Sequence, residues 1–132
     1  MSSVEIIKAI LAVAGGSALG GLARWFVSTR FQQLVPATSL FPWGTFVVNI
    51  AGCLIIGFIY GLISRGYQLG PVTKLFLTVG FCGGFTTFST FIHENFLLFG
   101  GTKFIIVLVY ASLSLIVGLS VVYLGHFIAR HL

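Results

Sequence analysis

The sequence predicts an all-α integral membrane protein with four transmembrane helices in a single domain. Hydrophobic residues fill 58% of its 132 positions and charged residues only 7%, whereas a soluble domain carries roughly 25% charged side chains. So few charges cannot cover a water-exposed surface, and the solvent must therefore be lipid. Four apolar segments long enough to cross a bilayer, at about 5–29, 43–64, 72–99 and 103–129, use most of residues 1–132.

Turn residues mark the boundaries of these segments. A polar loop at 31–41 contains Pro36, and Pro42 suits the first turn of the second helix. The run 65–71, which has two glycines and ends in Pro71, predicts a turn. Inside the segments, glycines lie four residues apart at 16 and 20 and again at 57 and 61, a spacing that lets helix backbones approach closely.

The net charge of +5 does not indicate nucleic-acid binding, because the seven Lys and Arg residues punctuate the apolar runs as interfacial anchors. Four spans put both termini and the middle loop on one side of the membrane. That side carries four Lys or Arg residues, and the opposite side carries two or three. This weak bias suits insertion in both orientations and an antiparallel, dual-topology homodimer. A single orientation with the termini in the cytoplasm fits the same count. The two sets are Lys8, Arg65, Lys74 and Arg130 against Arg30 and Lys103, with Arg24 nearby.

The third helix is predicted to be broken in the middle of the membrane. Residues 80–91 contain three glycines and three threonines, which weaken a helix. Irregular backbone at membrane depth is tolerated only where it is buried in protein or lines a cavity. Carbonyl oxygens freed by such a break are hard ligands able to hold a cation, and near a dimer axis both copies would contribute. A kinked, tightly packed helix is also consistent with this composition.

Aromatic and amide side chains within the spans are candidates for an ion path. Phe88 and Phe91 are three residues apart and share a helix face, and the electropositive edge of an aromatic ring can meet an anion. Asn49 lies inside the second span with Thr45 one turn before it, and the two N–H donors of its amide could replace the hydration of an anion. Ordinary packing and interhelical hydrogen bonds explain the same residues, so both interpretations stay open.

Other polar residues extend this pattern. On the fourth span, Tyr110, Ser114 and Gly118 fall on one face at intervals of four, which indicates a narrow polar track or interhelical hydrogen bonding. Arg24, near the end of the first span, is expected to extend its side chain to the lipid head groups, and Glu94, near the end of the third span, is interpreted as a vestibule or interface residue. The sequence has no nucleophile paired with a base, no phosphate-binding loop and no metal-ligand cluster, so an enzyme is not predicted.

These residues carry a resemblance that covers nearly the whole chain. The matching runs are Gly20-Gly21-Leu22-Ala23-Arg24-Trp25, Trp43-Gly44-Thr45-Phe46-Val47-Val48-Asn49, and Gly80 through Phe91 followed by Glu94. In order and spacing they resemble the Fluc/CrcB family of microbial fluoride channels. The resemblance implies a multi-pass protein of the bacterial plasma (inner) membrane that exports cytoplasmic fluoride passively and so protects against fluoride toxicity.

The resemblance also implies an assembly and a set of functional residues. The assembly is an antiparallel homodimer with two fluoride pathways and a central structural sodium ion, held by the backbone carbonyls of Gly83 and Thr86 from each subunit. Where some family members carry a second serine beyond Ser114, this chain has Gly118. The implied fluoride pathway is Asn49, Phe88, Phe91, Thr45, Ser89, Thr90, Tyr110 and Ser114, with Arg24 and Glu94 at the vestibule.

The main alternative is a dual-topology, proton-coupled multidrug exporter of the small four-helix type. That mechanism requires an ionisable group deep in the membrane. The first helix has no internal acid, because Glu5 is terminal and Glu94 lies near a helix end. The sequence therefore favours the fluoride channel.

Overall fold

Four long helical segments form the structure, a computed structural model that describes residues 1–101 and 103–132. The segments are α1 (Ser3–Leu34); α2 (Trp43–Ser64); a third composed of α3 (Pro71–Leu75), a π-helical stretch (Phe76–Cys82), α4 (Gly83–Phe85) and α5 (Phe88–Phe99); and α6 (Phe104–His131). Within the described residues, all four are long and apolar enough to cross a membrane. The prediction of an all-α protein with four membrane-spanning segments is confirmed.

The first helix is longer than the predicted 5–29 at both ends. It begins with a capping box, in which the Ser2 hydroxyl accepts the Glu5 N–H at 3.2 Å and the Glu5 carboxylate accepts the Ser2 N–H at 2.6 Å. Its other end continues through 31–34, which was predicted as loop but contains no glycine or proline. The helix stops at Leu34 because Val35, which precedes Pro36, is extended with φ −98° and ψ 142°.

Close backbone contacts hold α1 against the third segment. A Cβ atom built on Gly16 would lie 2.9 Å from the Gly80 Cα, and one built on Gly20 would lie 2.9 Å from the Phe85 backbone nitrogen. Real Cβ atoms do not approach backbone so closely. The predicted close packing at Gly16 and Gly20 is therefore confirmed.

The second glycine pair brings α2 against α6. A Cβ on Gly57 would lie 2.9 Å from the Val122 Cα, and a Cβ on Gly61 would lie 2.7 Å from the His126 carbonyl oxygen. The predicted close packing at Gly57 and Gly61 is therefore confirmed as well. The structure therefore consists of two tightly packed helix pairs, α1 with the third segment and α2 with α6. These pairs meet mainly where α1 packs on α2 and where α5 packs on α6.

We expect Gly125→Ala to destabilise the second pair. A Cβ at this position on α6 would lie 2.9 Å from the Phe58 backbone nitrogen on α2. Because backbone atoms cannot move aside as a flexible side chain can, the helices must separate, at a cost of about 1–3 kcal/mol. The measurement is the midpoint of thermal unfolding in detergent.

Gly21→Ala is the matched control for this substitution. A Cβ on Gly21 would have no neighbour within 4 Å among the described residues. Alanine is also favoured over glycine inside a helix by about 1 kcal/mol, so the midpoint should stay level or rise. An equal loss of stability in both variants would contradict the packing argument.

The outer faces of the helices expose large apolar side chains. On α6, Leu115, Leu119 and Tyr123 are each more than half exposed. Monomeric soluble proteins rarely present contiguous apolar surface of this kind. These faces suit contact with lipid or with another protein chain.

Candidate functional site

Two extended residues, Thr86 and Thr87, separate α4 from α5. Their backbone angles are φ −88° and ψ 160° for Thr86, and φ −149° and ψ 124° for Thr87. Thr86 directs both its N–H and its hydroxyl at the Cys82 carbonyl, at 3.0 and 2.9 Å. Thr87 caps α5, because its hydroxyl oxygen accepts the Thr90 N–H at 3.2 Å. Thr86 thus ends α4 and Thr87 caps the start of α5.

Asn49 on α2 pairs with the backbone of this interruption. Its Nδ2 donates to the Thr87 carbonyl at 3.0 Å, and its Oδ1 accepts the Thr87 N–H at 2.8 Å. The sequence suggested that both N–H donors of the amide could serve an anion, but one of them is used by Thr87 and only one remains. Asn49 therefore also holds Thr87 in its extended conformation. Sequence reasoning missed this role because the two residues are 38 positions apart.

The same interruption changes the surroundings of two carbonyl groups. In a continuous α-helix the Gly83 carbonyl would accept the Thr87 N–H, and the Thr86 carbonyl would accept the Thr90 N–H. Here the Thr87 N–H donates to Asn49 Oδ1, and the Thr90 N–H donates to Thr87 Oγ1. Both carbonyl oxygens are thereby relieved of their helical donors.

A cleft of about 420 Å³, the interruption cleft, surrounds these groups. Gly52 makes room for it, because a Cβ at this position on α2 would collide with the methyl group of Thr86. The cleft brings together residues of α2, the π-helical stretch, the interruption and α5. The lining residues are Asn49, Gly52, Cys53, Ile56, Thr78, Cys82, Gly83, Thr86, Thr87, Phe88 and Phe91.

The two phenylalanines predicted for the ion path both line the interruption cleft. Their ring centroids are 6.0 Å apart, and Phe91 meets the Tyr110 ring edge-to-face at 4.9 Å. Phe88 is 74% exposed, whereas Tyr110 is fully buried. The shared face of Phe88 and Phe91 is confirmed, and the ring of Phe88 is accessible from the cleft.

A half-buried carboxylate, Glu94, connects three helices. Its Oε1 accepts the hydroxyl of Thr45 on α2 at 2.6 Å, and its Oε2 accepts the hydroxyl of Tyr110 on α6 at 2.8 Å. Charge-assisted hydrogen bonds of this kind are stronger than neutral ones. Thr45 and Asn49 are one turn apart on α2. Thr45 bonds to Glu94 and Asn49 bonds to Thr87, so α2 is tied to the third segment at two positions.

Glu94 also lines a second cleft of about 430 Å³, the polar cleft. Its walls come from α1, α2 and α5, and most of its lining side chains are hydroxyls or amides. They are Ser28, Thr29, Gln32, Gln33, Gly44, Thr45, Thr90 and Glu94. A hydrated ion could be accommodated here, because these groups can exchange hydrogen bonds with its water shell.

Three predicted residues lie elsewhere in the described part of the chain. Ser89 is exposed, Ser114 is half-buried one turn after Tyr110, and Arg24 is half-buried on α1. None of the three is among the described residues that line the two clefts. Gly118 is buried where α6 meets α2, and a Cβ there would lie 3.5 Å from Cys53 Sγ.

These features define a small multi-span membrane protein with clefts of contrasting polarity between its helices. Residues 11–126 match the family model described as CrcB-like protein, Camphor Resistance (CrcB). Because the match spans most of the chain, the protein belongs to the CrcB family.

Curated relatives agree with this assignment over nearly the full length of both chains. A protein of Flavobacterium psychrophilum is 40% identical over 126 residues, 96% of this chain and all of the relative. One of Bacteroides fragilis is 41% identical over 125 residues, 94% of this chain and 98% of the relative. One of Pyrococcus abyssi is 35% identical over 124 residues, 94% of this chain and 98% of the relative. Each of these relatives is named fluoride-specific ion channel FluC.

Proposed function

We propose that this chain forms a fluoride channel, which releases cytoplasmic fluoride passively and protects the cell from fluoride toxicity. One observation carries the proposal: Asn49, Phe88 and Phe91 line a single cleft beside an interrupted helix, in a chain whose relatives are named for fluoride conduction. The function is transport, and the protein is a channel, not an enzyme.

The interruption cleft suits a small anion that has lost part of its water. The ring edges of Phe88 and Phe91 are electropositive, and the remaining N–H of Asn49 is a hydrogen-bond donor. Selectivity in a narrow pore requires groups that replace the hydration shell of the permeant ion. Ring edges and a single amide donor favour an anion over a cation.

The polar cleft suits the vestibule of the same path. Fluoride would pass from its hydroxyl-rich walls toward Tyr110 and the two phenylalanines, with Ser89, Thr90 and Ser114 as further polar contacts and Arg24 attracting the anion. Thr45 and Tyr110 both donate to Glu94. Their hydroxyl hydrogens therefore become available to fluoride only when the Glu94 side chain is displaced.

The working unit is an antiparallel, dual-topology homodimer with two fluoride pathways. The interruption cleft opens on the surface of one chain, yet irregular backbone at membrane depth requires a protein or water-filled surrounding. A second, inverted copy would supply that surrounding. The nearly balanced charges at the two ends of the helices support insertion in both orientations. The bacterial inner membrane is the compartment that this function requires.

A sodium ion at the dimer axis fits the third segment. The Gly83 and Thr86 carbonyls have lost their helical donors to Asn49 and Thr87. Carbonyl oxygens are ligands for hard cations, and two from each subunit would supply four. When bound, the ion would be coordinated by these carbonyl oxygens and would join the two copies as a structural element.

Passive release is enough for protection because of the acid–base chemistry of fluoride. Neutral HF crosses lipid, whereas the ion it releases in a less acidic cytoplasm does not. A channel lets the accumulated ion leave down its gradient, and a negative membrane potential assists the outward movement of an anion.

We expect purified protein in liposomes to pass fluoride and largely exclude chloride. Fluoride release from loaded liposomes is measured with an ion-selective electrode, and chloride release is measured in parallel. Chloride efflux should stay close to that of protein-free liposomes because the donor set suits a smaller anion. An imposed proton gradient should not drive fluoride accumulation beyond that of protein-free liposomes, in which neutral HF itself crosses the lipid. This outcome separates a passive channel from the proton-coupled exporter. Absent fluoride efflux, or equal chloride efflux, contradicts the proposed function.

A further inference from the structure

We propose that the carboxyl-terminal end of α6 binds the phosphate of an anionic phospholipid head group. A cavity of about 350 Å³ at this end is lined by Tyr123, His126, Phe127, Arg130 and His131. We call His126, Arg130 and His131 the basic cluster. The cavity is separate from both clefts of the proposed ion path, so the inference depends on α6 reaching the membrane surface and not on fluoride conduction.

Neighbouring groups hold the two imidazoles of the basic cluster in position. His131 Nδ1 lies 2.8 Å from the Phe127 carbonyl oxygen, and because a carbonyl only accepts, Nδ1 carries a hydrogen. The His131 ring also lies against the Phe127 ring, with centroids 4.1 Å apart. His126 Nε2 is 3.5 Å from the Ser64 hydroxyl at the end of α2. The Ser64 hydroxyl donates to the Gly61 carbonyl at 2.9 Å, so His126 Nε2 is the donor to Ser64 Oγ. In a neutral ring the nitrogen that remains only accepts, so Arg130 is the group that donates to a phosphate, and the two imidazoles form the walls around it.

No Asp or Glu side chain among the described residues lies beside the positive charge of Arg130. The sequence contains two acidic residues. Glu94 is held by Thr45 in the first turn of α2, whereas the cluster adjoins Ser64 in the last turn of that helix. Glu5 accepts the Ser2 N–H at the start of α1. An anion from outside the protein is therefore the natural counter-charge for Arg130.

The position of the cluster favours a lipid head group over dissolved phosphate. Tyr123 and Phe127, two turns and one turn before His131 at the end of α6, are exposed to 71% and 48%. Aromatic rings at the end of a membrane span lie at the level of the head groups. A phospholipid would place its phosphate on Arg130 while its glycerol and upper acyl chains contact these rings. Dissolved phosphate would gain only the first of these interactions.

The test compares lipid retention by matched variants of the full chain in native mass spectrometry. Protein in mild detergent is titrated with phosphatidylglycerol or with phosphatidylcholine. We expect the wild type to retain phosphatidylglycerol preferentially. Arg130→Gln combined with His126→Gln should lower that preference about five-fold or more, because one arginine near an anionic surface contributes about one such factor.

The matched control is Arg30→Gln combined with His93→Gln, which removes the same residue types from exposed positions on α1 and α5. It should lower the preference for phosphatidylglycerol much less than the first double variant does, because Arg30 lies over the Phe26 ring and is not among the residues that line the cavity. Arg130→Lys, which keeps the charge, should retain most of the preference even if the double variant proves unstable. Unchanged retention in the double variant, an equal loss in the control, or displacement of the lipid by millimolar inorganic phosphate would each overturn the proposal.

Discussion

Phe88→Ile is expected to reduce fluoride flux by about two orders of magnitude, to nearly the level of protein-free liposomes. Isoleucine fills similar volume but has no electropositive ring edge. An anion that enters an apolar cleft with no group to replace its lost water is destabilised by at least a few kcal/mol. Each 1.4 kcal/mol lowers its occupancy of the cleft about tenfold. The measurement is fluoride efflux from liposomes that contain equal amounts of folded protein.

Phe96→Ile is the control for this substitution. Phe96 lies on the same helix, α5, and is 70% exposed, close to the 74% of Phe88. It is not among the described residues lining either cleft, so its replacement should leave flux near that of the wild type. Undiminished flux in a folded Phe88→Ile protein would exclude Phe88 from the ion path.

Asn49→Ala should lower fluoride flux at least tenfold and remove the dependence of the dimer on sodium. The substitution deletes both hydrogen bonds to Thr87, and leaving these two half-buried backbone groups without partners costs about 2 kcal/mol. Relaxation of the interruption would return the Thr87 N–H to the Gly83 carbonyl, which would then no longer be free for a cation. Flux is measured in liposomes, and the dimer fraction is measured in sodium and in a larger cation.

Asn95→Ala is the control that shows whether the effect requires the loss of Asn49 or follows from the loss of any amide side chain. Asn95 Nδ2 donates to the Phe91 carbonyl of its own helix at 2.8 Å. Its Oδ1 is buried and has no hydrogen-bond partner among the described residues. Replacing an unsatisfied buried acceptor by an apolar group costs little, so flux and sodium dependence should persist. If Asn49→Ala retains full flux and the same response to sodium as Asn95→Ala, Asn49 does not organise the interruption.

Hydropathy and local propensity explain how much of the fold the sequence predicts. The four apolar segments are properties of short windows of chain, since about 20 residues must cross the membrane whatever surrounds them. The glycine pairs at 16 and 20 and at 57 and 61 follow from helical periodicity. The predicted end of α1 was less accurate, because 31–34 contains two glutamines but no residue that stops a helix before Pro36.

The sequence predicted which residues form the candidate site but not which hydrogen bonds they make with one another. Asn49, Phe88 and Phe91 were identified from residue type and spacing, and the structure brings them into one cleft. Their proposed roles in fluoride conduction stay predictions, as do those of Ser89, Ser114 and Arg24. The use of one Asn49 N–H by Thr87 was not visible, because an amide inside an apolar segment has many possible partners.

The sequence by itself determined that the chain has four membrane-spanning segments and that glycines bring their backbones close. It also indicated that residues 80–91 are poorly suited to a regular helix. Only the tertiary structure decided that Asn49 pairs with Thr87 and that Thr45 and Tyr110 both donate to Glu94. Spans depend on local composition, whereas these bonds join residues that only helix packing brings within hydrogen-bonding distance.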